Sequence, residues 1–215
     1  MSSTPPSSEN IWSSLRRFAR PRPPAESCAL CGVSLAPEHA HLVELSKRQL
    51  LCSCDACAIL FSGQDGARYR RVLPRVEVLT NFLVDDAHWD ELHLPINLAF
   101  FVPSAEFKRV RAYYPSPAGA TESLLTFDVW DRLVRENPIL STLEPEVEAW
   151  LANRLGRSNE YYLVSIDECY KLVGLIRTHW RGLSGGTAVW ESIGRFFTSL
   201  KDKAGSQGAL PYARP

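Results

Sequence analysis

The hydrophobic positions of the C-terminal third follow a helical period. Apolar residues recur every three or four positions on one face of this segment, at Val189, Trp190, Ile193, Phe196, Phe197 and Leu200. Polar and charged residues occupy the other face, so the pattern predicts an amphipathic helix. Similar spacing predicts a helix that ends at Pro138, with an apolar face of Val129, Trp130, Leu133 and Val134. A further helix is predicted from Val147, Trp150, Leu151 and Leu155.

Shorter apolar segments bounded by turn residues have the pattern of strands. They predict strands at 68–73, 76–80, 96–102 and 109–114, and a hairpin of 161–166 with 171–180 across Asp167 and Glu168. Strands and helices therefore come in runs and do not alternate regularly. This order predicts the α+β class.

The N-terminal part has a different pattern. Residues 41–45 alternate as a strand does, 46–49 supply a polar turn, and 49–53 return as a second strand. The residues from Asp55 to Phe61 then favour a short helix. Together with the cysteine pair before it, this hairpin and helix predict a small module like a treble-clef zinc module, followed by the mixed α+β domain.

Composition sets the outer limits of these units. Residues 1–26 contain five prolines among many serines, which predicts a disordered tail, and 204–215 predict a flexible one. The four-cysteine module then spans 27–66 and the α+β domain spans 67–203. Arg16 and Arg17 resemble a twin-arginine export signal, but prolines follow where that signal needs an apolar stretch. We therefore expect a cytoplasmic protein.

Charge and hydropathy argue against two classes of partner. The chain has 24 basic and 24 acidic residues, so it has no net positive field to attract nucleic acid. Its longest apolar run, around Leu98 to Val102, is much shorter than the ~18 residues that span a bilayer. We expect neither a nucleic-acid nor a membrane partner.

Five of the six cysteines fall within thirty residues, which is the strongest chemical signal in the chain. Two Cys-x-x-Cys pairs can each supply two thiolates to one tetrahedral ion, and Gly32 permits the tight backbone turn after the first pair. The predicted ligands are Cys28, Cys31, Cys54 and Cys57. Cys52 remains open as a substitute for Cys54, because the two would point to the same face of a strand.

The sequence permits three interpretations of the metal and its role. Zinc that stabilises a small module is the leading interpretation. A rubredoxin-like iron site for electron transfer is the alternative, although Ala58 follows the second pair where rubredoxins have a glycine. A third interpretation is an HNH-type nuclease with His39 and His41 as catalytic residues. The acidic neighbour and downstream asparagine of such sites are missing.

Three other segments carry candidate chemistry. A glycine-rich loop at the start of the last helix could cradle an anion through Arg181, Ser184, Gly185, Gly186 and Thr187. No histidine follows His179, so the same loop does not support a serine hydrolase. The acidic segment 85–93 is interpreted as a solvated helix start, and Cys169 as a packed thiol. We therefore assign no catalytic residue.

Five motifs together resemble one bacterial family. They are Cys-x-Leu-Cys-Gly at 28–32, Pro-Glu-His-x-His-Leu at 37–42, Leu-Leu-Cys-x-Cys-x-x-Cys at 50–57, Tyr-Pro-Ser-Pro-Ala-Gly-Ala-Thr-Glu-Ser at 114–123 and Trp-Arg-Gly-Leu-Ser-Gly-Gly at 180–186. That family has no established activity and is typically encoded beside uptake NiFe-hydrogenase genes. The resemblance implies an uncharacterised, non-catalytic accessory protein whose partner is a hydrogenase subunit or maturation factor.

Overall fold

A computed structural model describes residues 26–63, 66–106, 109–123, 127–182 and 184–207. Most of the two predicted tails, 1–25 and 208–215, lies outside these residues. The elements in chain order are β1 (Ala40–Glu44), β2 (Gln49–Ser53), α1 (Asp55–Ser62), β3 (Tyr69–Val72), β4 (Val76–Val78), α2 (Asp86–Asp90), β5 (Leu98–Ser104), β6 (Arg109–Ser116), β7 (Gly119–Ser123), α3 (Phe127–Glu136), a 3-10 helix (Pro138–Thr142), β8 (Glu148–Asn153), β9 (Glu160–Ser165), α4 (Ile166–His179) and α5 (Thr187–Gln207). The mixed α+β class is confirmed.

The N-terminal part forms a three-stranded antiparallel sheet in the order β2-β1-β3. The predicted hairpin of β1 and β2 and the following helix α1 are confirmed. Strand β3 pairs with β1, although the sequence pattern placed it in the larger domain. The cysteine module and the following segment therefore share one sheet.

The second sheet has six strands in the order β4-β9-β8-β5-β6-β7, and all neighbouring strands are antiparallel. Helices α4 and α5 and the small sheet cover one of its faces, where Phe100, Leu151 and Tyr162 lie in the same buried cluster as Val43 and Val72. Helix α3 and the 3-10 helix cover the other face around a second buried cluster. The large sheet is thus a middle layer with apolar side chains on both faces.

The helix predicted around Val147 to Leu155 is wrong, because this segment contains strand β8. Every residue of β8 is buried, since neighbouring strands flank it and other elements cover both faces of the sheet. A strand buried on both faces has no polar alternation, so its sequence resembles that of a buried helix. The spacing of Val147, Trp150 and Leu151 then matched a helical period by coincidence.

The second strand of the predicted 161–180 hairpin is also wrong. Strand β9 exists but pairs with β8 and β4, and the chain continues directly into α4. Asp167 and Glu168 form the first turn of α4, where acidic side chains interact favourably with the helix dipole. The buried positions of α4 have helical spacing, at Ile166, Cys169, Leu172, Val173 and Ile176.

An ion pair joins helix α5 to the large sheet, and its contribution to stability depends on pH. Lys201 Nζ lies 2.7 Å from Glu160 Oε1, and the Tyr162 hydroxyl donates to Glu160 Oε2 at 3.0 Å. Burial raises the pKa of Glu160, but the Lys201, Tyr162 and Asn153 donors outweigh it and lower that pKa below its ordinary value. This carboxylate therefore stabilises the fold above its unfolded pKa, and its contribution is lost as pH falls through the folded pKa.

We expect Glu160→Gln to lower the free energy of unfolding by about 1 kcal/mol at pH 7. The difference from wild type should shrink as pH falls below about 4, because the wild-type carboxyl then takes up a proton. Urea unfolding of both proteins between pH 3 and pH 7 measures this. Glu191→Gln, at an exposed position of α5, is the control and should change stability little at any pH. A difference that is constant over this range would contradict the assignment.

Candidate metal centre

The first cysteine pair lies on a tight turn before β1. The Cys28 amide donates to the Val33 carbonyl at 2.8 Å, and the Gly32 amide donates to the Cys28 carbonyl at 2.8 Å. Gly32 has φ of +77°, which a residue with a side chain rarely adopts. The Ala29 amide donates to the Cys52 carbonyl at 2.9 Å and so fixes this turn against strand β2.

The second pair lies at the amino end of α1. Cys54 is the N-cap residue, and its Sγ accepts a hydrogen bond from the Cys57 amide at 3.5 Å. Unpaired amides and the helix dipole give this end a partial positive charge, which stabilises thiolates. The helix start thus places both sulfurs beside the turn that carries Cys28 and Cys31.

The four sulfurs of Cys28, Cys31, Cys54 and Cys57 all lie within 4.8 Å of one another. The Sγ atoms of Cys31 and Cys54 are 3.8 Å apart. A tetrahedral ion with metal-to-sulfur bonds near 2.3 Å requires sulfur separations of about 3.8 Å, so this spacing suits one ion. All six cysteines of the chain are free thiols. The arrangement can bind a metal ion, as the Cys-x-x-Cys spacing predicted.

The protonation behaviour of these thiols reflects their crowding. Burial and, after it, the neighbouring cysteines together raise the pKa of the Cys57 thiol to about 12. Burial also acts on Cys28, but hydrogen bonds from the backbone of Cys54, Cys31 and Leu30 lower the pKa of that thiol to about 5. The protein backbone therefore supports one thiolate unaided. Several thiolates at this spacing need a cation to offset their repulsion.

Cys52 does not lie with the other four clustered cysteines. Its sulfur instead belongs to a second group, in which ligand atoms of His39, His41 and Cys52 all lie within 4.8 Å of one another. From the sequence alone, the two histidines are candidates only for a nuclease site, and Cys52 only for a substitute ligand. The predicted hairpin could have revealed the group, because its register places His41 directly opposite Cys52.

The glycine-rich loop joins α4 to α5. Arg181 Nη1 donates to the carbonyl oxygens of Thr178 and Trp180, and the Arg181 amide donates to the Gly185 carbonyl at 3.0 Å. Ser184 and Gly186 are exposed, and Thr187 begins α5. These hydrogen bonds stabilise the loop as a connection between two helices. Anion binding at this loop stays a prediction.

Gly185 has a packing role that a substitution can test. A Cβ atom at this position would lie 2.8 Å from Cγ1 of Val189 and 3.1 Å from the Trp180 ring, and φ is +85°. We expect Gly185→Ala to lower the free energy of unfolding by about 2 kcal/mol, from backbone strain and overpacking together. Gly186→Ala is the control: its φ is +73°, but its Cβ would meet no atom closer than 3.9 Å.

The two Gly→Ala variants are compared by urea unfolding at neutral pH. Gly186→Ala should cost about 1 kcal/mol, because it adds backbone strain without a clash. Equal losses in the two variants would show that contact with Val189 and Trp180 adds nothing.

Two other candidates have structural explanations. Asp85 caps α2 by accepting a hydrogen bond from the His88 amide at 2.8 Å, which fits the predicted helix start. In the described part of the chain, the acidic residues of 85–93 do not join a group of metal-ligand atoms. Cys169 is fully buried in the core, and burial raises its pKa well above the ordinary value, so it is a packed thiol.

A cleft of about 370 Å³ lies between α4 and α5. Lys171 and Lys203 line it, and their Nζ atoms lie 3.0 and 2.8 Å from the same Glu168 carboxylate oxygen. Both lysines are thus engaged by a carboxylate within the chain. Two further polar groups of its lining have backbone partners: the Ser192 hydroxyl donates to the Ala188 carbonyl at 2.7 Å, and His179 Nδ1 lies 2.9 Å from the Leu175 carbonyl oxygen.

In the described part of the chain, none of the helices has the length and apolar content that crossing a membrane requires.

Comparisons with known proteins give one match. No curated protein and no solved structure matches the sequence significantly. A family model described as a family of unknown function matches residues 27–204, which include both cysteine pairs and nearly all of the two sheets and their helices. The chain therefore belongs to the family of unknown function DUF5947.

Proposed function

We propose that this protein is a non-catalytic, zinc-stabilised accessory protein that acts in the assembly or function of a NiFe-hydrogenase. Its zinc ion is bound by Cys28, Cys31, Cys54 and Cys57 in a treble-clef-like module. The observation that carries the proposal is the convergence of these four sulfurs within 4.8 Å. A site that needs reduced thiols suits a cytoplasmic protein.

The choice of zinc rests on the donor set and its surroundings. Four thiolates in a closed tetrahedral arrangement are typical of structural zinc. The two halves of the site differ, since Gly32 follows the first pair in a tight turn while Ala58 follows the second pair within helix α1. Rubredoxin-like iron sites have a glycine-bearing turn on both halves, so this asymmetry favours zinc.

An exposed apolar surface on the same module supports an interaction role. Ile59, Leu60 and Phe61 of α1 are 63%, 70% and 44% exposed, and they follow Cys57 and the buried Ala58. Val33, beside the first cysteine pair, is half exposed. A contiguous exposed apolar run is uncommon on a monomer surface and favours contact with another protein. The hydrogenase partner rests on the genomic association that the sequence resemblance implies.

Elemental analysis tests the metal. Full-length protein purified without added metal should be colourless and contain zinc but no iron. An iron-thiolate absorption spectrum with matching iron content would instead support the electron-transfer alternative. This measurement tests the metal separately from the partner.

A capture experiment tests the partner. Tagged full-length protein, expressed in cells that produce the hydrogenase, should retain a hydrogenase subunit or maturation factor. Leu60→Ser should reduce this recovery at unchanged metal content, because it places a polar group in the exposed apolar surface. Leu83→Ser is the control at a similarly exposed leucine outside the module. Recovery of no hydrogenase subunit or maturation factor would overturn the proposed partner.

A further inference from the structure

The β1–β2 hairpin brings three further ligand-type side chains together. His41 and Cys52 are direct cross-strand partners, and His39 precedes His41 by two residues, so it lies on the same face. The ring centroids of the two histidines are 4.7 Å apart. One ligand atom from each histidine and the Cys52 sulfur all lie within 4.8 Å of one another. Imidazole and thiolate are the ligands that zinc prefers.

Hydrogen-bonding partners fix which nitrogen each histidine offers. His39 Nδ1 is 2.9 Å from the Ala36 carbonyl oxygen, which can only accept, so the proton of a neutral His39 lies on Nδ1. His41 Nδ1 is 3.4 Å from Asp167 Oδ2, and this carboxylate favours a proton on that nitrogen as well. Both Nε2 atoms are then left with a free lone pair. Metal-binding histidines are usually oriented by such a carbonyl or carboxylate.

The Nε2 atom of His39 also lacks a partner. The His39 side chain is only 6% exposed, and its buried Nε2 has no hydrogen-bond partner among the described residues. Among the described residues, Glu26 Oε2 lies 3.6 Å from this nitrogen, which is too far for a good hydrogen bond. A buried lone pair without a partner is unfavourable, so this nitrogen is poised to bind a ligand.

We propose that His39, His41 and Cys52 bind a second zinc ion through the two Nε2 atoms and the Cys52 sulfur. The carboxylate of Glu26, whose side chain is 61% exposed, lies beside the fourth position. One thiolate and one carboxylate together balance the charge of a divalent ion. The site shares no ligand with the four-cysteine centre. Three protein ligands with an accessible fourth position are the arrangement of zinc sites that exchange ligands.

The number of zinc ions bound per chain tests this second site. Full-length protein is equilibrated by dialysis against micromolar free zinc, and bound zinc is measured by elemental analysis. We expect two ions per chain for the wild type and one for either His41→Gln or Cys52→Ser. Circular dichroism shows whether each variant is folded, and two variants on different strands guard against the misfolding of one.

Controls separate this site from the four-cysteine centre. His93→Asn, at an exposed histidine elsewhere, should keep two ions. A double variant of Cys28→Ala and Cys57→Ala should lose the ion of the four-cysteine centre and keep one ion, and adding His41→Gln to it should leave none. One ion in the wild type that persists in folded His41→Gln and Cys52→Ser would overturn the second site and leave the first intact. Two ions in both of those variants would also overturn it.

Discussion

Cys57→Ala is expected to weaken zinc binding at the four-cysteine centre and to loosen the turn that carries Cys28 and Cys31. Structural zinc contributes roughly 10–16 kcal/mol to the folding of small zinc domains, so one of four ligands accounts for about 3 kcal/mol. That corresponds to a loss of roughly a hundredfold in zinc affinity. Competition with a chelator of known zinc affinity measures the loss.

The effect should be large because the module has few apolar contacts of its own. Ile59, Leu60 and Phe61 of α1 are exposed, and the helix buries chiefly Cys57 and Ala58. The ion therefore replaces a core at this end of the molecule. Cys169→Ala is the matched control, because Cys169 is a buried cysteine outside the centre. It should lower stability without changing zinc affinity, and wild-type affinity in Cys57→Ala would refute the assigned ligand.

Trp150→Ala is expected to lower the free energy of unfolding by about 4 kcal/mol. The Trp150 ring is fully buried in β8, and its centroid lies 4.5 Å from that of Phe101 and 4.9 Å from that of Phe82. Removing it leaves a large cavity between the sheet and the helices on that face. Urea unfolding measures the loss, with the zinc concentration held constant.

Trp150→Phe distinguishes the ring from its polar atom. The Trp150 Nε1 atom is buried without a hydrogen-bond partner in the described part of the chain, so phenylalanine removes an unsatisfied donor along with some volume. We expect a loss below about 1.5 kcal/mol. Trp190→Phe, at a half-exposed tryptophan, should change little. An alanine variant as stable as the phenylalanine variant would contradict this packing account.

The sequence was most informative where chemistry restricts it. The Cys-x-x-Cys pairs, the hairpin between them and helix α1 could all be predicted, because metal ligation needs particular residues at particular spacings. The long stripe from Val189 to Leu200 likewise predicted α5, since one face is buried and the other is solvated. Both signals are local, so a single sequence is enough to find them.

The failures came from long-range packing. Strand β8 is buried on both faces by elements distant in sequence, and no local pattern reports that. Helix α4 follows β9 without a loop, so its acidic first turn resembled a hairpin turn. The shared strand face left Cys52 open as a substitute for Cys54, whereas its cross-strand partner His41 determines its neighbours. In each case, the pairing of strands determines where the segment lies.

The pairing of β3 with β1 has a consequence for any attempt to isolate the cysteine module. Only three residues separate β3 from β4, which belongs to the other sheet. A fragment that ended near residue 66 would lose β3 and leave one side of β1 with unpaired backbone amides and carbonyls. Such an edge recruits strands from other molecules and promotes aggregation. The pairing of β3 with β1 thus protects the module from self-association.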